Sequence, residues 1–125
     1  MPTTASRELV VLANPAPQHN YRVELNCPEF TCLCPMTGQP DFASIDITYE
    51  PAKHIIELKS LKLYLWSFRD EGHYHEAVVN TILADLVEAL APTYLGVHGY
   101  FNVRGGIGTA VHAEYNPTNT ATASQ

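Results

Sequence analysis

A segment of the chain, residues 30–42, contains side chains that could carry out covalent chemistry. It reads Phe-Thr-Cys-Leu-Cys-Pro-Met-Thr-Gly-Gln-Pro-Asp-Phe, and its glycine and prolines predict an exposed, rigid loop. Cysteine is a good nucleophile only as its thiolate, which needs partial exposure and stabilisation of the anion. Cys34 fits that description best, and a turn would bring the acid of Asp41 to the same substrate. The segment therefore offers a nucleophile and an acid.

Basic residues are concentrated in one part of an acidic protein. The 125 residues include 7 Lys and Arg against 13 Asp and Glu, which gives a formal net charge of −6. General nucleic-acid binding needs a basic surface, so this balance argues against it. A solvated helix face is the ordinary explanation for clustered lysines, but their concentration here favours a local anion site. Four of the basic residues lie close together in the sequence: Lys53, Lys59, Lys62 and Arg69.

The sequence His73-Tyr74-His75-Glu76 opens a predicted helix. A glutamate at a helix N-terminus ordinarily just stabilises the helix dipole, and this is the first explanation for Glu76. Alternatively, Glu76 beside His75 could hold a ring with adjacent N–H donors, such as a guanine-like base. The chain has no G-x-G-x-x-G and no G-x4-G-K-[ST], so a nucleotide would be held without a Rossmann or P-loop cradle.

The three cysteines, Cys27, Cys32 and Cys34, also raise the question of a zinc site. Their spacing, Cys-x4-Cys-x-Cys, matches no standard structural zinc pattern, so we predict no metal. Cys27 continues an alternating strand and is assigned to the core, whereas the role of Cys32 stays open. An odd number of cysteines without a signal peptide favours the reducing cytoplasm. The apolar run at residues 9–13 is too short for a membrane span.

Hydrophobic periodicity predicts one α+β domain with the order β-β-α-α-β-β and both helices on one face of an antiparallel sheet. Residues 1–20 are expected to be a mobile or loosely docked arm, residues 21–115 the catalytic domain, and residues 116–125 a disordered tail. Arg104-Gly105-Gly106 is the predicted turn of the last hairpin. The predicted elements are Tyr21–Cys27, Ile45–Tyr49, Leu58–Phe68, His75–Leu90, Leu95–Phe101 and Ile107–Tyr115, with a loop from Pro28 to Pro40.

Three motifs carry a family resemblance. They are the 30–42 segment, E-L-K-S-L-K-L-Y-L-W-S-F-R at residues 57–69, and Y-F-N-V-R-G-G at residues 100–106. On these motifs the chain resembles the NADPH-dependent 7-cyano-7-deazaguanine reductases, the nitrile reductases of queuosine biosynthesis. The resemblance covers residues 21–115, and the length is similar to that of the short, single-module members.

This resemblance implies a reaction and its catalytic residues. The protein would reduce the nitrile of 7-cyano-7-deazaguanine (preQ0) to the aminomethyl group of 7-aminomethyl-7-deazaguanine (preQ1), consuming two NADPH per turnover. Cys34 would form a covalent thioimide with the nitrile carbon, and Asp41 would protonate the nitrogen. Asp41 must then carry a proton near neutral pH, which burial or a neighbouring anion would favour.

The resemblance also implies binding residues. The positions that match the family's substrate contacts are Ile56, Glu57, Leu58, His75 and Glu76. The positions that match NADPH contacts are Leu58, Lys59, Lys62, Arg104 and Gly105. Leu58 occupies a position where many members carry serine.

The fold implied by the resemblance is the tunnelling fold, in which subunits join their sheets into a barrel with active sites at the interfaces. A decamer of two stacked pentamers is the typical assembly. Self-association is also expected because a four-stranded sheet leaves two open edges and one face that two helices cannot cover.

Three other functions compete with the reductase. One is a tunnelling-fold amidinotransferase that transfers ammonia to the cyano base in tRNA, which the motif at 57–69 and the acidic composition disfavour. Another is a zinc-dependent pterin or GTP-ring enzyme of the same fold, which the Cys-Pro loop beside an acid disfavours. The third is a non-catalytic purine-binding protein. The presence together of Cys34, Asp41, His75 and Glu76 argues against it.

Overall fold

The computed structural model describes residues 4–117 of the chain. They form a four-stranded antiparallel sheet, a two-stranded sheet and two helices, so the predicted α+β class is confirmed. Residues 118–125 of the predicted tail lie outside the described residues. The elements are β1 Val11–Ala13, β2 Val23–Leu33, β3 Pro40–Glu50, β4 His54–Ile56, α1 Leu58–Trp66, α2 His75–Leu90, β5 Tyr94–Arg104 and β6 Ile107–Tyr115.

The larger sheet has the strand order β2-β3-β5-β6, so β2 and β6 are its edges. Alternate residues of β3 are buried, as expected for a strand with one face against a core. Helix α2 packs on β5 and β6, and α1 lies near β2. Side chains from the sheet and from both helices form one core, which includes Ile45, Ile47, Leu61, Tyr64, Ile82, Leu86, Leu95 and Val97.

Helix α2 and strand β5 approach each other closely at Gly99. A Cβ at this position would lie 2.7 Å from Cγ2 of Val79 and 3.0 Å from Cε1 of Phe101. Both of those side chains are buried, so neither can move aside easily. The packing of α2 on the sheet therefore depends on the missing side chain at Gly99.

The first hairpin extends further than predicted. Strand β2 continues to Leu33 and β3 begins at Pro40, so the connecting loop comprises residues 34–39 rather than 28–40. A register shift between Cys27 and Phe30 accommodates Pro28. A proline is tolerated at such a bulge in an edge strand because its missing N–H is not needed there.

Helix α1 is shorter than predicted, and one residue of its predicted apolar face is exposed. It ends at Trp66, so Phe68 and Arg69 follow the helix. The helical spacing predicts one apolar face with Leu58, Leu61, Leu65 and Phe68. Leu61 and Phe68 are buried, but Leu58 is 59% exposed. Tyr64 is fully buried, and its hydroxyl donates a hydrogen bond to Asp85 at 2.5 Å. Because Asp85 accepts this hydrogen bond, the polar hydroxyl keeps a partner while the Tyr64 ring is buried in the core.

Residues 4–20 contact the domain at several points. Strand β1 pairs antiparallel with β4, and the two strands are too short for a periodic pattern to have predicted them. The Asn14 side chain is buried, donates to the carbonyl of Ala52 at 2.7 Å, and accepts from the Tyr21 hydroxyl at 2.6 Å.

The sheet face that points away from the helices carries polar side chains. Asn26 donates to Asp46 at 2.5 Å, and the Nδ1 atoms of His98 and His112 are 2.6 Å apart. This face can therefore remain in water, and the open edges at β2 and β6 are the stronger reason to expect self-association.

No helix within residues 4–117 is both long and apolar enough to cross a membrane.

Candidate active site

Cys34 is the first residue of the loop between β2 and β3. Its N–H donates to the carbonyl of Gln39 and its carbonyl accepts from the N–H of Gly38, both at 2.8 Å. The Thr37 hydroxyl and the N–H groups of Met36 and Thr37 hydrogen-bond the sulfur, and they lower the pKa of Cys34 below its ordinary value. Because the side chain is also partly exposed, it can act as a thiolate nucleophile.

The other two cysteines have the opposite electrostatic character. Cys32 is fully buried, and desolvation together with the nearby Asp41 raises its pKa to about 11. Cys27 is half-buried, and its pKa is raised by burial and by Asp46. Among the three cysteines, Cys34 alone combines access with a lowered pKa.

The end of β2 is fixed against residues 71–73 by a short parallel bridge. The N–H of Leu33 donates to the carbonyl of Glu71 at 2.9 Å, and the N–H of His73 donates to the carbonyl of Leu33 at 3.0 Å. A Cβ at Gly72 would lie 3.3 Å from Cα of Pro35, so this segment lies directly against the loop. The bridge brings the start of α2 next to Cys34.

Asp41 is buried at the start of β3, with 7% of its surface exposed. One carboxylate oxygen lies 3.0 Å from Nη2 of Arg104, and the other lies 3.3 Å from Nε2 of His75. Burial or a neighbouring anion was expected to favour a proton on Asp41. The structure supplies the burial, but the charged group beside Asp41 is the cation Arg104 and not an anion. Arg104 also donates to the carbonyl of Pro40, which fixes the β5–β6 hairpin over the site.

His75 and Glu76 occupy the first turn of α2. The His75 ring stacks on Phe101 with 3.8 Å between ring centroids and an interplanar angle of 8°, so its orientation is fixed. Glu76 is exposed, and within residues 4–117 its carboxylate has no hydrogen-bond or ion-pair partner. It is therefore available to a ligand with N–H donors.

These side chains surround one pocket of about 190 Å³. Five residues predicted from the sequence meet there, although they come from a loop, two strands and a helix. Three neighbours without a predicted role complete the lining. The full set is Cys34, Pro35, Asp41, His73, Tyr74, His75, Glu76 and Arg104.

A second, larger groove of about 810 Å³ runs between β2 and α1. Leu58, Lys59 and Lys62 line it, so three predicted binding residues lie apart from the Cys34 pocket. Both lysines are exposed, and neither forms an ion pair with any residue in the described part of the chain. Arg69, the third basic residue of this region, instead stacks on Trp66 at 3.8 Å and pairs with Asp70 at 3.4 Å.

The remaining predicted residues line neither cavity. Ile56 is buried, and its N–H is not free for a ligand because it donates to the Tyr49 hydroxyl at 3.1 Å. The Glu57 carboxylate caps α1 by accepting from the N–H groups of Lys59 and Ser60, both at 2.8 Å, and these bonds lower the pKa of Glu57. Gly105 lies in the β5–β6 turn.

Two features of the site were not predicted from the sequence. Thr37 had no assigned role, yet its hydroxyl is the largest cause of the lowered pKa of Cys34. A threonine followed by Gly in a tight loop was the available signal, because such hydroxyls commonly bond nearby backbone groups; here Thr37 also accepts from Gln39 N–H at 3.2 Å. The pairing of Arg104 with Asp41 had no signal, since the two are distant in sequence.

Within residues 4–117 there is no group of three or more His, Cys, Asp or Glu side chains placed to hold a metal ion.

Comparison with known proteins identifies the relatives of the chain. The family model described as QueF-like protein matches residues 40–120. The NADPH-dependent 7-cyano-7-deazaguanine reductase of Anaeromyxobacter dehalogenans (strain 2CP-C) is 60% identical over 115 residues, covering 92% of this chain and 94% of that protein. The enzyme of the same name from Thermomicrobium roseum is 58% identical over 118 residues, covering 94% and 92%.

Among solved structures, the crystal structure of the archaeosine synthase QueF-Like in the apo form matches with a TM-score of 0.67. It covers 76% of this chain and 91% of that chain at 21% identity, so it shows the fold alone. The tunnelling fold and the family resemblance predicted from the sequence are thereby confirmed. The chain belongs to the QueF-like family, among the NADPH-dependent 7-cyano-7-deazaguanine reductases.

Proposed function

We propose that this protein reduces the nitrile of preQ0 to the primary amine of preQ1 with NADPH, as a step of queuosine biosynthesis. The observation that supports this most directly is the pocket in which Cys34, with its lowered pKa, lies with Asp41, His75 and Glu76. Addition to a nitrile needs a nucleophile for the carbon and a proton for the nitrogen, and both groups line this pocket.

The first chemical step is the addition of the Cys34 thiolate to the nitrile carbon. The sulfur–carbon bond forms as one C–N π bond breaks, and Asp41 delivers a proton to the nitrogen, which gives a neutral thioimide. The hydrogen bonds from Thr37 and the loop N–H groups hold the thiolate before attack and receive it again when the sulfur leaves. Cys34 is therefore unchanged after a full turnover.

Asp41 can deliver a proton only after its ion pair with Arg104 is broken. In the free chain the guanidinium occupies one carboxylate oxygen, and His75 approaches the other. Arg104 is 41% exposed at its side chain and extends from a hairpin, so it can turn outward to an anionic ligand. Its departure would leave Asp41 buried beside the substrate.

The base is held by Glu76 and His75. The Glu76 carboxylate, which has no partner among residues 4–117, would accept hydrogen bonds from the N–H groups of the deazaguanine ring. The His75 ring, fixed by its stacking on Phe101, lines the same pocket. A charged acceptor gives the stronger class of hydrogen bond, which favours a ring with adjacent donors.

We assign the phosphates of NADPH to the groove along α1, because two lysines line it. Lys59 and Lys62 lie on one side of it without an ion pair to a described residue, which is the state expected for cations that bind an external anion. Arg104 and the neighbouring Gly105 would contact the same molecule from the hairpin. When bound, NADPH supplies the hydrides, and two are needed to convert a nitrile to an amine.

We further propose that neighbouring subunits complete the active site, within a decamer of two pentamers in the cytoplasm. One chain carries the Cys34 pocket and the lysine groove as separate cavities, whereas the reaction needs substrate and NADPH in contact. The open edges β2 and β6 provide the means for subunits to join their sheets into a barrel.

The experiment that tests this function is incubation of the purified protein with preQ0 and NADPH. We expect loss of the nicotinamide absorbance, two NADPH consumed per nitrile, and a product with the mass of the aminomethyl base. Incubation of the protein with ammonia and tRNA that carries the cyano base, without NADPH, is the control for the amidinotransferase alternative. An amidine product formed without NADPH would overturn the reductase assignment.

A further inference from the structure

Arg7 connects the N-terminal segment to the part of the chain that precedes α2. Its guanidinium lies 3.7 Å from the centroid of the Phe68 ring, and its Nε donates to the Ser67 hydroxyl at 2.5 Å. Its Nη2 forms an ion pair with the carboxylate of Glu71. One side chain thus makes a cation–π contact, a hydrogen bond and an ion pair with residues at least 60 positions away in sequence.

Glu71 transmits this contact toward the active site. Its carboxylate also lies 2.9 Å from Nε2 of His73, and the bond to His73 followed by the charge of Arg7 lowers the pKa of Glu71. Its backbone carbonyl accepts from Leu33, the residue directly before Cys34. His73 in turn lines the Cys34 pocket.

From these contacts we propose that Arg7 is a positioning residue for the Cys34 loop. Arg7 holds Glu71, the bridge between Leu33 and residues 71–73 holds the end of β2, and that end determines where the loop begins. The hydrogen bonds that lower the pKa of Cys34 come from within the same loop, so they depend on its geometry. The inference rests on the proposed function only in taking Cys34 as the nucleophile.

The test measures the Cys34 thiolate directly. The protein is alkylated with iodoacetamide across a pH range, and peptide mass spectrometry follows each cysteine in the same sample. In Arg7→Ala, we expect the Cys34 midpoint to move to higher pH, and alkylation at pH 7 to slow about threefold, the effect of losing an ion pair of this class. The half-buried Cys27 provides the internal reference and should not change.

A matched control removes a comparable ion pair elsewhere. Arg22 pairs with Glu50 at 2.8 Å at the opposite end of β2, so Arg22→Ala should leave the Cys34 profile as in the parent. Arg7→Lys keeps the charge but not the several nitrogens of the guanidinium. Its pH midpoint for Cys34 alkylation should lie between those of the parent and Arg7→Ala. Glu71→Gln should shift Cys34 in the same direction, and adding Arg7→Ala to it should produce little further shift, because the two act together.

Enzyme kinetics separate the two proposals. If both hold, Arg7→Ala lowers kcat while KM for NADPH stays constant, because the lysine groove is untouched. A shifted alkylation profile with unchanged kcat would support the positioning role and count against Cys34 as nucleophile. An Arg7→Ala profile that coincides with those of the parent and Arg22→Ala would overturn the inference, and Arg7 would then only dock the N-terminal segment.

Discussion

The Cys34 pocket and the lysine groove are built in opposite ways. In the pocket, the chemical groups already have partners within the chain: Cys34 is held by loop hydrogen bonds, and Asp41 is held by Arg104 and His75. In the groove, Lys59 and Lys62 are exposed and have no ion-pair partner in the described part of the chain. The pocket is preorganised by tertiary packing, whereas the groove carries cations on an exposed helix surface without ion-pair partners among the described residues.

This difference separates two kinds of catalytic requirement. Groups that make and break bonds must be held in position before the substrate arrives, since reorganisation during the reaction costs rate. Groups that bind phosphate need only charge and reach, which flexible lysines supply. Changes in the pocket should therefore reduce turnover, and changes in the groove should weaken NADPH binding.

The largest effect is expected from Cys34→Ala. Loss of the nucleophile should reduce turnover by about 10⁴-fold or more, because no covalent intermediate can form. With preQ0 and no NADPH, the parent protein should show a mass adduct on the Cys34 peptide, and the variant should show none. Cys27→Ala is the matched control and should retain the adduct. An adduct that persists in Cys34→Ala would assign the nucleophile elsewhere.

Asp41→Asn should have the second largest effect on turnover. The amide keeps the size of the side chain but cannot deliver a proton, and general acids contribute on the order of 10²–10⁴-fold. Base binding, measured by calorimetry with preQ0, should persist. Asp46→Asn changes the same strand on its polar face and serves as the control. If Asp41→Asn kept more than about a third of the parent rate, Asp41 would be structural.

Variants of the groove should change KM for NADPH rather than kcat. A charge-assisted contact contributes roughly 1.5–3 kcal/mol, so loss of the lysine that contacts the 2′-phosphate should raise KM about tenfold or more. KM for NADH should rise less, because NADH lacks that phosphate. Lys59→Ala and Lys62→Ala are compared with Lys53→Ala, which lies outside the groove. Equal losses for both cofactors in both variants would place 2′-phosphate recognition elsewhere.

Mixed oligomers test whether the pocket and the groove meet across an interface. The mixtures are assayed at an NADPH concentration far below the KM of the Lys59→Ala/Lys62→Ala variant, where neither that variant nor Cys34→Ala turns over. Equal amounts of the two, unfolded and refolded together, should then recover about a quarter of the parent activity, because one site in four combines two intact halves. Cys34→Ala mixed with Glu76→Ala should stay inactive if Cys34 and Glu76 act within one pocket, since both line it in a single chain. Recovery in the second mixture but not the first would mean that Cys34 and Glu76 act across an interface, and that Cys34 and the two lysines act within one chain.

The sequence predicted most of the fold because the core is periodic. The alternation along β3 and the helical spacing of α2 are both determined by one buried face, so their patterns are clear. Prediction failed where tertiary contacts override local preference. Pro28 did not end β2, because a bulge accommodates it. Leu58, the first residue of α1, is exposed although Leu61 of the same predicted face is buried.

The candidate site was predictable to the extent that its chemistry lies in local motifs. Cys34, Asp41 and Glu76 were singled out by residue type and spacing, and the structure places them around one pocket. The ion pair between Asp41 and Arg104 could not be predicted, because it depends on how the last hairpin folds over β3. The same limit applies to Arg7, whose partners all lie more than fifty residues away in sequence.

The close approach at Gly99 determines which natural variants of this enzyme can survive. A methyl group there would press on Val79 of α2 and on Phe101, against which the His75 ring stacks, so it would disturb the position of His75 in the Cys34 pocket. In a library of random single substitutions selected for activity, position 99 should therefore be depleted almost as strongly as position 34. A residue with no functional group would thus be constrained almost as strongly as Cys34, and engineering of substrate scope should begin with the residues that line the Cys34 pocket.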